Sequence, residues 1–286
     1  MQILAATDFS TRSQRALRRA GLLARAEAAE LAIIHVVDDD QPQRLVEMEV
    51  RESERMLAEL ISAVSELRDV RCHPMVVKGD PFDAIVRTAA AQTADLIVMG
   101  AHRKQLLRDI LVGTTIERVI RTGHHPVLMV NNEVNAPYEV VLTPVDLSDA
   151  SANAIRAART ARLIDGVRLE ILHAFLPVGK GKMSMAGLDQ ADIDAYVSSE
   201  RQEVIEDLTA FLLESDLGGL GASLHVEEGD AFDVISEGVD RMRPDLLVIG
   251  THGRSGLLKV LLGSVTEAVL RSLNVDILAV PPARRQ

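Results

Sequence analysis

The chain has one cysteine, Cys72, no tryptophan, and only 2% aromatic residues among its 286. A lone cysteine excludes an intrachain disulfide and any cysteine cluster for zinc, and it fits a reducing compartment. With so few aromatics, the core must be built from Val, Ile, Leu, Ala and Met, which dominate a hydrophobic content of 47%. Positive charge is also short. A formal net charge of −11 argues against broad nucleic-acid binding, because a phosphate backbone calls for a basic face; a local basic pocket stays open. No apolar run approaches the length of a membrane span, and the first residues lack the charged, apolar and small-residue pattern of a signal peptide. These absences predict a cytoplasmic globular protein that binds neither nucleic acid nor membrane. Its length suits two ordinary domains or one large one.

What is present first is an internal repeat. Thr7-Asp8-Phe9-Ser10 returns as Val145-Asp146-Leu147-Ser148, and Ile34-His35-Val36 as Leu172-His173-Ala174, both 138 positions later. Gly79-Asp80-x-Phe82-Asp83 returns as Gly229-Asp230-x-Phe232-Asp233, Asp95 to Gly100 as Asp245 to Gly250, Gly113-Thr114 as Gly263-Ser264, and Val127 to Val130 as Ile277 to Val280, all 150 positions later. Six landmarks in the same order give two copies of one domain, 1–131 and 138–282, joined by the polar, proline-containing stretch Asn131 to Pro137. The offset grows by 12 between positions 173 and 229, so the second copy carries an insertion, for which Gly179 to Gly187 is the natural place.

Each copy alternates strand and helix. In the first, strands are predicted at Ile3–Ala6, Leu31–Val37, Val70–Val77, Leu96–Met99 and Val127–Val130. Pro74 suits an edge position for the third. Ser10 is an N-cap for a helix with Ala16, Leu17, Ala20, Leu23 and Ala24 on its apolar face. Asp80-Pro81 starts another, with proline at the first helical position. The strands are continuously apolar rather than alternating, so the fold class is α/β: two repeated five-stranded parallel sheets, Rossmann-like, with helices on both faces. Ligands in such sheets sit beyond the carboxyl ends of the strands.

At that edge the second copy carries Gly250-Thr-His252-Gly253-Arg254-Ser-Gly-Leu-Leu-Lys259-Val-Leu-Leu-Gly263-Ser264. This is a glycine-punctuated loop from a strand's carboxyl end to a helix's amino end, where bare backbone N–H groups and the helix dipole favour phosphate. The alternative is a tight turn with no ligand. Asp8 and Asp146 end the first strands, where a carboxylate can accept from an adenine amino group or a ribose hydroxyl, or else cap the next helix beside Ser10 or Ser148. His35 and His173 read as hydrogen-bonded core residues, and His102 and His252 fall in the loops. His124-His125 has no third ligand at metal spacing. Neither a Gly-x-Ser-x-Gly elbow nor a P-loop lysine is present, so no catalytic residue and no metal-binding residue is assigned.

The pattern Gly250-x2-Gly253-x9-Gly263-Ser264, with Asp146 ending the first strand and a last strand at Ile277–Val280, resembles the ATP-binding kind of universal stress protein, here in tandem form over essentially the whole chain. The resemblance implies a stress-response regulator that binds ATP, ADP or AMP and acts as a conformational or partner switch, with Mg²⁺ held mainly by phosphate oxygens. It implies that Asp146 and Ala174 meet adenine and ribose, with Pro144 and Val145 lining that edge. It further implies that Gly250, His252, Gly253, Arg254, Gly263, Ser264 and Val265 hold ribose and phosphates. The family's last strand pairs across a dimer, which implies an internal pseudo-dimer of the repeats and leaves a further homodimer and a protein partner open. The first copy departs from the pattern: Arg103 stands where the second glycine belongs, although Lys104 and Arg108 add positive charge. Its site is expected to be empty or weaker. A nucleotide-free scaffold and a slow ATPase are the alternative readings.

Overall fold

The computed structural model describes residues 1–101, 114–253 and 262–283. The first half runs β1 (Gln2–Ala6), α1 (Thr11–Ala26), β2 (Glu30–Val37), α2 (Gln43–Ala63), a short 3-10 turn at Ser65–Leu67, β3 (Cys72–Lys78), α3 (Pro81–Ala91), β4 (Leu96–Gly100), α4 (Thr115–Thr122) and β5 (Val127–Val130). The second half runs β6 (Val140–Pro144), α5 (Asp149–Thr160), β7 (Arg168–Phe175), α6 (Lys180–Met185), α7 (Gln190–Glu214), β8 (Ser223–Glu228), α8 (Ala231–Met242), β9 (Leu246–Gly250), α9 (Ser264–Ser272) and β10 (Asp276–Val280). The third strand begins two residues later than its sequence predicts. Pro74 of β3 lies opposite Ile33 of β2, and β3 is an outermost strand, where proline is tolerated because its missing N–H can face the open edge.

The ten strands among the described residues form one sheet, in the order β3-β2-β1-β4-β5-β10-β9-β6-β7-β8. Within each half the pairings are parallel. The halves meet through the antiparallel pair β5–β10, with Leu128 opposite Leu278. The two sheets expected from the repeat are thus one, because the last strand of each copy supplies the edge that the other needs.

The strands' unbroken apolar runs are explained by parity. Ile3, Ala5, Leu31, Ile33, Leu96 and Val98 face one core with α1 and α5. Their neighbours Leu4, Ala32, Ile34, Ile97 and Met99 face a second core with α3, α4, α8 and α9. A strand buried on both faces favours apolar residues at nearly every position, and each fully buried Leu or Ile contributes about 1.5–3 kcal/mol relative to exposure.

A buried polar cluster closes the seam between the halves. Asp276, with no solvent exposure, accepts from the Asn131 and Asn132 amides at 2.9 and 3.0 Å and from the Tyr138 hydroxyl at 2.8 Å. Arg19 lies 3.6 Å from the same carboxylate, donates to the Ala136 carbonyl at 2.8 Å and stacks on the Tyr138 ring. Burial, and then the Asp276 charge, keep the Tyr138 phenol protonated well above its usual range.

The insertion in the second half is helical. α7 begins 147 positions after α2 begins, so most of the extra length lies ahead of it, in the segment that carries α6. Gly179 starts that segment because a Cβ there would meet the Tyr196 ring at 2.8 Å.

Candidate functional site

The carboxyl ends of β6, β7 and β9 converge with the amino ends of α5 and α9 on one edge of the second half. Asp146 follows β6. Its Oδ1 accepts from the Ser148 hydroxyl and the Ser151 hydroxyl, each at 2.5 Å, and from the Ser148 amide at 3.2 Å. Ser148 in turn caps α5 by accepting from the Ser151 amide. One carboxylate oxygen therefore braces the helix cap, as one of the two sequence readings held. The other oxygen, Oδ2, faces the glycine loop: a Cβ built on Gly253 would lie 2.6 Å from it. Asp146 and Gly253, 107 positions apart, share one small volume.

The loop's two ends are pinned. The Thr251 amide donates to the Val280 carbonyl at 2.8 Å, and the Gly263 amide donates to the Thr251 carbonyl at 2.9 Å. The Thr266 hydroxyl donates to the Gly250 carbonyl at 2.8 Å. Gly250 itself lies against the first turn of α5, where a Cβ would approach the Ala150 carbonyl oxygen to 3.1 Å. α9 begins at Ser264 with Gly263 as its N-cap, so among the described residues no capping side chain satisfies the orphan amides of its first turn. Ser264 is exposed and Val265 half-buried. Thr251 and Thr266 are pins that the repeat did not flag, since Ala101 and Ile116 stand at the matching positions of the first copy.

His252 bonds through Nδ1 to the Thr251 hydroxyl at 2.9 Å. Its Nε2 is buried with no hydrogen-bond partner among the described residues. Burial pushes its pKa below the usual imidazole value, which favours the neutral ring. His173 bonds through Nδ1 to the Val145 carbonyl at 2.7 Å, as His35 does to the Thr7 carbonyl at 2.9 Å, in line with their reading as hydrogen-bonded strand residues. Val145 is buried, and Pro144 and Ala174 are half-buried at the same edge. Arg254 and Lys259 lie outside the described residues, as do His102, Arg103, Lys104, Arg108 and Gly113 of the first copy.

The described part of the first half repeats the acid and serine arrangement. Asp8 Oδ1 accepts from the Ser10 hydroxyl at 2.5 Å and the Ser10 amide at 3.0 Å. Burial alone would raise its pKa, but the Ser10 and Ser13 bonds outweigh it and hold the carboxyl below its usual value. Two differences stand out. Thr114 caps α4, its hydroxyl accepting from the Glu117 amide at 3.3 Å, where α9 has a glycine. The Phe9 ring packs on the His35 ring with centroids 4.3 Å apart, where the second half has Leu147 and His173.

Comparison with known proteins gives a consistent result. The sequence model of the Universal stress protein family matches residues 1–131 and 137–281. A universal stress protein of Mycolicibacterium smegmatis is 25% identical over 302 aligned positions, covering 98% of this chain and 97% of that protein. One from Methanocaldococcus jannaschii is 29% identical over 154 residues, covering 46% of this chain and 95% of its own length, so it spans about one repeat. Among solved structures, a universal stress protein from Archaeoglobus fulgidus superposes with a TM-score of 0.67 at 18% identity, over 99% of this chain and 98% of that one; this likeness is one of fold.

Proposed function

This chain belongs to the universal stress protein family, with two copies of its domain, and from that premise we propose that the second half binds an adenine nucleotide, ATP or AMP, whose occupancy switches conformation or partner choice. The observation that carries the reading is the close approach of Gly253 to the Asp146 carboxylate, where a Cβ would lie 2.6 Å from Oδ2, beside a helix whose N-cap is a glycine. Amides at a helix N-terminus suit a phosphate, and a half-buried strand-end carboxylate suits the donors of a base or a ribose. Asp146 and Ala174 would meet adenine and ribose, with Pro144 and Val145 along that edge. Gly250, His252, Gly253, Gly263, Ser264 and Val265 would hold ribose and phosphates, with Arg254 adding charge. Magnesium, when present, would ride on the phosphates. The first half, with Arg103 in the place of Gly253, binds nucleotide weakly or not at all.

Isothermal titration calorimetry with ATP tests this. The intact chain is expected to bind one nucleotide. Gly253→Arg, which copies the first half, is expected to weaken binding by about 1–3 kcal/mol, the scale of overpacking and of lost buried hydrogen bonds. Unchanged affinity in that variant removes the loop from the site, and no heat with ATP at millimolar concentration removes the nucleotide reading altogether.

A further inference from the structure

The backbone of Thr251 is already fixed, its amide by the Val280 carbonyl and its carbonyl by the Gly263 amide. Closing the loop therefore does not call for its side chain. Yet the residue is a threonine, 1% exposed, and among the described residues its hydroxyl has a single partner, Nδ1 of His252 at 2.9 Å.

The direction of that bond decides which nitrogen of the ring carries hydrogen. A hydroxyl is both donor and acceptor, and a neutral imidazole has one N–H and one bare nitrogen. Burial favours the neutral ring here. If the hydroxyl donates, Nδ1 is the bare nitrogen and the ring hydrogen sits on Nε2. One group, Nε2–H, is then left unmet, because Nε2 is buried without a partner among the described residues. If Nδ1–H donates instead, two groups are stranded, the hydroxyl hydrogen and the Nε2 lone pair. A buried polar group left unbonded costs its full desolvation, so the arrangement with one unmet group is favoured. An orphan donor of this kind calls for an explanation.

His252 stands two residues beyond the end of β9, next to Gly253, in the loop that leads to the N-terminus of α9. Such a helix start favours an anionic oxygen. On the nucleotide reading above, we propose that Thr251 is a positioning residue: its hydroxyl holds His252 in the Nε2–H tautomer, and Nε2–H donates to a phosphate oxygen of the bound nucleotide. The ring is a donor without being charged, and the hydroxyl behind it both orients it and fixes its hydrogen. The first half retains the histidine, His102, but has Ala101 at the position of Thr251. Its ring has no such hydroxyl beside it, a second departure besides Arg103.

Proton–nitrogen NMR correlation of the imidazole nitrogens reads the tautomer, and calorimetry reads affinity. In the intact chain without nucleotide, at a pH where the ring is neutral, His252 is expected in the Nε2–H form. Saturating ATP is expected to displace the Nε2 proton to lower field as the bond to phosphate forms. Dideoxy-ATP, which keeps the phosphates and lacks both ribose hydroxyls, is expected to do the same. Thr251→Val keeps the shape and deletes the hydroxyl; it is expected to admit the Nδ1–H form and to weaken ATP binding about tenfold. Thr251→Ser keeps a hydroxyl and is expected to retain the parent's tautomer and affinity. A parent ring in the Nδ1–H form overturns the proposal, and this measurement needs no variant. So does Thr251→Val with parental tautomer and affinity, or an equal loss in Thr251→Ser, which would make the role one of packing. A displacement that ATP produces and dideoxy-ATP does not moves the contact to a ribose hydroxyl and overturns the phosphate assignment. ATP that binds without moving Nε2 overturns this proposal alone, whereas ATP that does not bind overturns the nucleotide reading with it.

Discussion

Asp146 shows how one side chain can serve the fold and remain suited to a ligand. Its Oδ1 is committed to Ser148 and Ser151, which fixes the carboxylate so that Oδ2 stays against the loop at Gly253. The aspartate is legible in the sequence from its repeat partner Asp8, and the glycine from its spacing to Gly250 and Gly263, since Arg103 stands at its matching position. Ser151 was not singled out, although Ser13 matches it at the same offset of 138; a small hydroxyl inside a helix has no pattern of its own. His252 is the residue whose chemistry reports on the site. Because burial lowers its pKa, the folded chain favours the neutral ring. The stability that this ring contributes is full above pH 6.5 and declines as pH falls through the depressed value. In an NMR titration of the intact chain without nucleotide, His252 is expected to show a midpoint below 6.5. Saturation with ATP should move that midpoint upward, since nearby phosphate charge favours imidazolium. A midpoint that ATP leaves in place takes His252 out of the phosphate neighbourhood.

Among the elements, α4 and α9 differ most instructively, since they descend from matching sequence and begin differently. In the first half, Thr114 caps α4 with its own hydroxyl; in the second, Gly263 holds the cap position and the aligned Ser264 is the first helical residue, exposed to solvent. The strands and most helices were readable because apolar runs, N-cap serines and the Asp80-Pro81 start carry local signals. This one-residue shift was not, because Gly-Thr and Gly-Ser look alike until the backbone is seen. The same holds for α6: Gly179 and Gly181 argue against helix in isolation, and the segment is instead held by Glu228 and Tyr196 from neighbouring elements. The contrast at the helix starts predicts opposite effects for equivalent changes. Thr114→Ala should lower stability by about 0.5–2 kcal/mol, the cost of a lost cap. Ser264→Ala should leave stability within about 0.5 kcal/mol, as at other exposed sites. It should weaken ATP binding by about 1 kcal/mol if the hydroxyl reaches the ligand. Chemical denaturation and calorimetry on both variants separate the two effects, and a Ser264→Ala stability loss as large as that of Thr114→Ala would mean that Ser264 works as a cap after all.

At the scale of the molecule, the repeat made two copies evident, but their fusion into one sheet depends on residues that have no counterpart in the other copy. Ala157 stands at the position matching Arg19, and Pro126 at that matching Asp276, so the Arg19–Tyr138–Asp276 cluster breaks the internal symmetry and could not be found by comparing the halves. It adds a buried, fully bonded carboxylate to the β5–β10 pairing. With the edge strands of both halves joined and the carboxylate satisfied by linker amides, the covalent link itself should be dispensable once the chain has folded. A protease site placed at the exposed Asn135 and cut in the native protein is expected to leave two fragments that co-elute as one particle. Adding Asp276→Ala strands Tyr138 and Arg19 without their partner, and breaking such a buried pair costs about 3–5 kcal/mol. The cut variant should then separate into halves at concentrations where the cut parent stays whole. Fragments of the cut parent that part at once would show that the linker, and not the seam, holds the two halves together.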